Sequence, residues 1–183
     1  MKVALDVDGI IAGFYPAICD YGDMPYAVTN AWSLGWIRPL FKEIADDYHF
    51  WANLPVMEKP ENINFDFDLY LTHCPQIEAR QEWLDKNKFP KKLLIAEGDK
   101  AQYMVDNNID ILIDDKPQTV QDVLDKEKII IQYFSPYLSR ELVESEKVKH
   151  KGHPNYYYAT SLLRAGEIVN ELKNVRAYNN VSN

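Results

Sequence analysis

Cysteine is scarce in this sequence: Cys19 and Cys74 are the only two in 183 residues. Two cysteines make no disulfide framework, and they agree with a reducing compartment. Positive charge is short as well, with 20 Lys and Arg against 28 Asp and Glu and a formal net charge of -8. That balance argues against a nucleic-acid groove, because contact with a phosphate backbone wants a basic face. It leaves room for a small anionic substrate, since a bound metal and one or two lysines reverse the field locally. Long apolar runs are missing: "LLIA" and "KIIIQYF" are too short to span a bilayer. The start, "MKVALDVDG", puts acids where a cleavable apolar segment would continue, so a cytoplasmic setting without a membrane is expected. There is no internal repeat. The four histidines, His49, His73, His150 and His153, form no zinc pattern, and "KHKGHPNYYY" (149–158) reads as a surface turn.

What is present is a globular composition, 46% apolar and 26% charged, long enough for one sizeable core with a small insert. Five nearly continuous apolar runs read as buried strands: 3–7, 68–72, 93–96, 111–114 and 129–133. Helical stretches separate the later ones, at 75–87, 99–108 and 116–127. A last helix over 159–174 carries a stripe of Leu162, Leu163, Ile168, Val169 and Leu172, followed by a polar tail expected to fray. Alternating strand and helix means an α/β, doubly wound (Rossmann-like) parallel sheet of about five strands. One interval breaks the rhythm. About sixty residues separate Asp8 from Thr72, more than a crossover requires, and 14–51 hold ten of the 23 aromatics. This reads as a small helical cap over 17–60, inserted after the first strand into a core made of 1–16 and 61–183. Most of its aromatics are expected to form the insert's own core.

Functional groups in such a sheet collect beyond the carboxyl ends of the strands. The first strand ends in Asp6-x-Asp8-Gly9, the second in Thr72-His73 and the fourth in Asp114-Asp115, while Lys100 opens the helix after the third. Residues i and i+2 of a strand point to one side, so Asp6 and Asp8 should repel, and they ask for a cation, a raised pKa, or both. Hard oxygen ligands favour Mg²⁺ with a substrate phosphate. A phosphoryl group there meets Asp6 in line, giving an aspartyl-phosphate. Asp8 is placed to protonate the leaving oxygen and then activate water. Thr72 and nearby backbone N–H groups can hold phosphate oxygens, and Lys100 adds a point charge.

With these residues in view, "DVDGIIA", "LTHCP", "GDK" and "IDDKP" resemble the four motifs of the haloacid dehalogenase superfamily of phosphatases. "DVDGIIAGF", "FWANLPV" and "LIDDKPQTV" further resemble the 5'(3')-deoxyribonucleotidase branch. The likeness covers roughly residues 1–135. It implies Asp6 as nucleophile and Asp8 as acid and base. It implies Mg²⁺ held by Asp6, the Asp8 backbone carbonyl and Asp114, with Asp115 in support, and phosphate held by Thr72, His73 and Lys100. It implies Phe14, Phe50 and Trp51 as the aromatics that sandwich a base. The implied partner is a small phosphorylated substrate, a nucleoside monophosphate, with a homodimer allowed. His73 stands where relatives often carry a small residue, the 56–66 loop lacks the usual turn, and the chain beyond 135 has no match.

Other readings stand beside this one. The same chemistry would serve a sugar phosphate or another small phosphomonoester. "HCPQIEAR" (73–80) satisfies H-C-x5-R, the signature of cysteine phosphatases, in which a thiolate attacks and an arginine grips phosphate. An anion-wrapping loop is rich in glycine, however, and this one has none. It carries Pro75 and Glu78, and Arg80 falls on a helix. A non-catalytic phosphate-binding protein is the remaining alternative.

Overall fold

The computed structural model describes residues 1–181. Its centre is a parallel sheet of six strands: β1 (Val3–Leu5), β2 (Leu69–Thr72), β3 (Leu93–Ala96), β4 (Ile111–Asp114), β5 (Ile129–Tyr133) and β6 (Tyr156–Ala159), in the order β3-β2-β1-β4-β5-β6. Neighbours are in register at Ala4 and Leu69, Ala4 and Leu112, and Ile113 and Ile131. The first five strands match the apolar runs. The sixth corrects both the strand count and the reading of 149–158 as a surface turn. Its Tyr156, Tyr157 and Tyr158 pair with Ile130, Ile131 and Gln132 at the sheet edge, where only one neighbour is needed and half-exposed aromatics are tolerated.

Burial on both faces explains the continuous apolar runs. Val3 and Leu5 point to one side of the sheet, with Tyr70 and Ile113. They pack there against Trp83 of α4 (Ile77–Lys86) and Leu162, Ala165 and Val169 of α8 (Leu162–Val181). Ala4, Leu71 and Leu112 point to the other side, against Met104 of α5 (Lys100–Asp106) and Val120, Val123 and Leu124 of α6 (Pro117–Asp125). The last helix runs through the stretch expected to fray, as far as Val181. The rest of that tail, 182–183, lies outside the described residues.

Between β1 and β2 the chain forms α1 (Phe14–Tyr21), α2 (Ile37–Ile44) and α3 (Tyr48–Ala52). Ile18, Ile44 and Trp51 from these helices join the core on the α4 and α8 side of the sheet. The two ends of the segment are pinned together. Gly13 N donates to Pro55 O at 2.7 Å and Met57 N to Ile11 O at 2.9 Å. The strand order reverses beside β1, which puts the carboxyl ends of β1 and β4 at the position where open α/β sheets bind ligands.

Candidate active site

Asp6 follows the last residue of β1 and continues its ladder, donating N–H to Ile113 O at 2.9 Å. The chain then turns sharply. Val7 O accepts from the backbone N–H of Ile11 and Ala12, and Gly9 adopts φ +77°, a conformation that favours glycine. A side chain at position 9 is excluded on a second ground: its Cβ would fall 2.1 Å from Asp115 Oδ2. The turn thereby lets the acids after β1 and β4 approach one another.

Asp6, Asp114 and Asp115 each offer a carboxylate oxygen within 4.8 Å of the others. Lys100, buried at the first turn of α5, bridges two of them. Its Nζ lies 2.7 Å from Asp6 Oδ2 and 2.6 Å from Asp114 Oδ2. Asp99 caps that helix by accepting from Gln102 N at 2.9 Å, which fixes where Lys100 starts. Burial raises the Asp6 pKa to about 7; Lys100 opposes the rise, and Asp114 and Asp8 add to it. Asp115 is also pushed well above the usual carboxylate range, by burial and then by Asp114. For Lys100 burial acts downward, but Asp114 and Asp6 outweigh it and hold the ammonium above its ordinary pKa. Three carboxylates thus face one ammonium, leaving a double negative charge if all ionise. Closely spaced hard oxygens with that deficit suit a divalent cation such as Mg²⁺.

Asp8 stands apart from this group. Arg80 Nη2 donates to its Oδ1 at 2.6 Å, and Thr72 Oγ1 donates to its Oδ2 at 3.2 Å. The expected phosphate ligand Thr72 is therefore turned towards Asp8. His73, with Lys100, lines the cavity; burial, then Lys116 and Lys100, lowers its pKa. Arg80, which the sequence offered only as the arginine of the cysteine-phosphatase signature, is here the partner of Asp8. Its side chain is fully buried on α4, with Cζ 5.4 Å from the Trp51 ring centroid and 5.7 Å from that of Trp83.

The acids open into a cavity of about 780 Å³ whose walls include Phe14, Tyr15, Trp32, Phe41 and Tyr137. Of the three aromatics expected to stack on a base, Phe14 lines it and Phe50 and Trp51 do not. Trp51 is 1% exposed, donates its indole N–H to Ile44 O at 2.8 Å, and lies parallel to Phe14 with 5.7 Å between ring centroids. It packs behind the cavity wall. The cysteine alternative meets an obstacle too. Cys74 is buried, burial pushes its thiol up to about 11, and a nucleophilic cysteine needs a lowered pKa.

No protein-family model matches the chain, and no curated protein matches it in sequence. Among solved structures it superposes on a conserved haloacid dehalogenase-like protein of unknown function from Agrobacterium tumefaciens, with a TM-score of 0.62 and 6% identity. The match covers 94% of this chain and 98% of that one. The fold is haloacid dehalogenase-like. Unlike the resemblance in sequence, which stopped near residue 135, this likeness extends over 94% of the chain. No helix among the described residues is long and apolar enough to cross a membrane.

Proposed function

We propose that the protein is a phosphomonoester hydrolase, dependent on a divalent metal, that acts on nucleoside monophosphates. One observation carries this reading: two acids on one strand end have separate surroundings, Asp6 with Lys100 and Asp114, and Asp8 with Arg80 and Thr72. Two carboxylates in unlike environments are suited to two jobs. An Asp6 oxygen attacks phosphorus and the bond to the leaving oxygen breaks, while Asp8 in its acid form gives that oxygen a proton. Asp8, now a carboxylate, takes a proton from water. The water oxygen attacks phosphorus, the Asp6–phosphorus bond breaks, and inorganic phosphate and free Asp6 result. Lys100 holds negative charge beside Asp6 throughout. Mg²⁺ would be held by Asp6, Asp114 and Asp115, with the Asp8 carbonyl as the further ligand suggested by the resemblance. When bound it would supply charge neutralisation to the phosphoryl oxygens.

Residues 17–60 are proposed as the part that selects substrate, supported by the presence of Trp32, Arg38 and Phe41 in the cavity wall. The aromatic walls favour a flat leaving group over a sugar. The test is phosphate release from a panel of nucleoside monophosphates, sugar phosphates and simple alkyl phosphates, with EDTA and with Mg²⁺ restored. Metal-dependent release, fastest for a nucleoside monophosphate and lost in Asp6→Asn, supports the proposal. Release that ignores EDTA overturns the chemistry, and faster turnover of a sugar phosphate overturns the substrate.

A further inference from the structure

Two residues that line the same cavity, Glu146 and Trp32, each carry a buried polar atom that no group among the described residues satisfies. Glu146, on α7 (Arg140–Lys149), is 1% exposed; its Oε1 accepts from Lys149, while its Oε2 is buried without a donor. The indole Nε1 of Trp32 is buried without an acceptor. A buried polar group left unpaired is destabilising, so two beside one cavity are costly unless something that enters the cavity pairs with them.

Both are held on packed structure. Leu142 and Val143, one turn before Glu146 on the same helix face, pack with Trp32 around Phe134, Tyr137 and Leu138. Ser139 caps α7 by accepting from Leu142 N at 3.2 Å, and its own N–H donates to Thr29 O at 2.9 Å. Thr29 N donates back to Tyr137 O at 2.8 Å. The loop bearing Trp32 and the start of α7 are therefore tied together. Glu146 follows Ser139 by seven residues, about 10 Å along a helix.

We propose that Glu146 and Trp32 form the recognition site for the leaving group of the substrate, a site that reads a nucleobase edge by accepting an N–H at Glu146 Oε2 and donating from Trp32 Nε1. This rests on the phosphomonoesterase reading for its biological meaning. The argument is chemical. A carboxylate oxygen calls for a donor and an indole N–H for an acceptor, and nucleobases carry both along one planar edge. The aromatic rings of Phe14, Trp32 and Phe41 line the same cavity, and a base can stack on aromatic side chains.

The experiment uses nucleosides without phosphate, so that it reports on this end of the cavity alone. Binding of uridine, cytidine, adenosine, guanosine and ribose to the full chain is measured by calorimetry or saturation-transfer NMR. At least one nucleoside is expected to bind more tightly than ribose, and Glu146→Gln is expected to weaken that nucleoside tenfold or more. Trp32→Phe, which keeps a ring and loses the N–H, is expected to weaken it several-fold. Binding of inorganic phosphate to each variant checks that the site is still folded. No nucleoside binding better than ribose overturns the proposal, as does a Glu146→Gln variant with unchanged affinity. Loss of phosphate release with nucleoside binding intact would instead strike at the hydrolase reading.

Discussion

Arg80 donates to Asp8 at 2.6 Å from a side chain with no solvent exposure, clamped between the indoles of Trp51 and Trp83. Each indole is tied in turn to the segment between β1 and β2, Trp51 to Ile44 O at 2.8 Å and Trp83 to Leu54 O at 2.6 Å. The Asp8 carboxylate, the proposed acid and base, is thus oriented by a group whose own position depends on that segment. Bidentate-capable, planar arginine is not replaced by lysine in such a stack. Arg80→Lys is expected to fold and to slow turnover of alkyl phosphates roughly tenfold to a hundredfold, part of the ~10²–10⁴ that proton transfer contributes. Aryl phosphates, whose leaving oxygen needs less proton transfer, should slow less at the first step. Burst kinetics on both classes check this; equal slowing in every step would mean that Arg80 only supports the fold.

On the proposed chemistry a metal would compete with protons for the same carboxylates, and this fixes the sign of a pH effect. Asp6 is raised to about 7 and Asp115 is raised too. The folded protein therefore holds more protons than the unfolded chain between about pH 4 and 7, and these two groups make the metal-free protein less stable as pH rises through that window. A cation that replaces the protons removes the loss. The rise in melting temperature produced by Mg²⁺ should be small at pH 5 and large at pH 8, and Asp6→Asn should shrink the gain at pH 8. Thermal scans with EDTA and with Mg²⁺ at both pH values test it; a gain that is larger at pH 5 would contradict it.

Cys74 beside the site offers a clean contrast with Asp6. With its thiol pushed up to about 11 by burial, Cys74→Ser is expected to keep phosphate release within a few-fold of the parent, and alkylating reagents should act slowly. Activity that vanishes in Cys74→Ser but survives EDTA would reverse the assignment.

The strand ends were legible because they are local. An apolar run that stops at an acid marks both a strand boundary and a ligand-facing position, and Asp6, Thr72 and Asp114 need no knowledge of the rest of the chain. The pairing of Arg80 with Asp8 was illegible for the opposite reason, although the residue itself stood in the cysteine-phosphatase signature. It lies 72 residues from Asp8, on a helix where an arginine usually faces water, and its burial depends on how α4 meets the insert. Glu146 hid in the same way among the exposed charges of α7. β6 was missed because an edge strand of tyrosines lacks the β-branched run of the central strands. The insert's aromatics are chemically alike in sequence, so whether Phe50 and Trp51 or Trp32 and Phe41 meet the cavity was decided by packing.

That last distinction can be tested directly. Trp51 fills the space behind Phe14, in edge contact with Phe41 at 6.0 Å between centroids, and anchors one face of Arg80. Its removal opens a core cavity, and Trp51→Ala should cost about 3–5 kcal/mol of stability, read as a large fall in the denaturant midpoint. Phe41 lines the cavity itself. Phe41→Ala should leave the midpoint much closer to the parent's and act on substrate choice, lowering kcat/KM for a nucleoside monophosphate about tenfold relative to an alkyl phosphate, in line with the ~1–3 kcal/mol of a stacked base. The two variants must be measured together, since each controls for the other. If Trp51→Ala folded normally and lost only nucleotide preference, the indole would be reaching the substrate after a movement of the insert. If Phe41→Ala left preference untouched, the aromatic wall would have no part in selection.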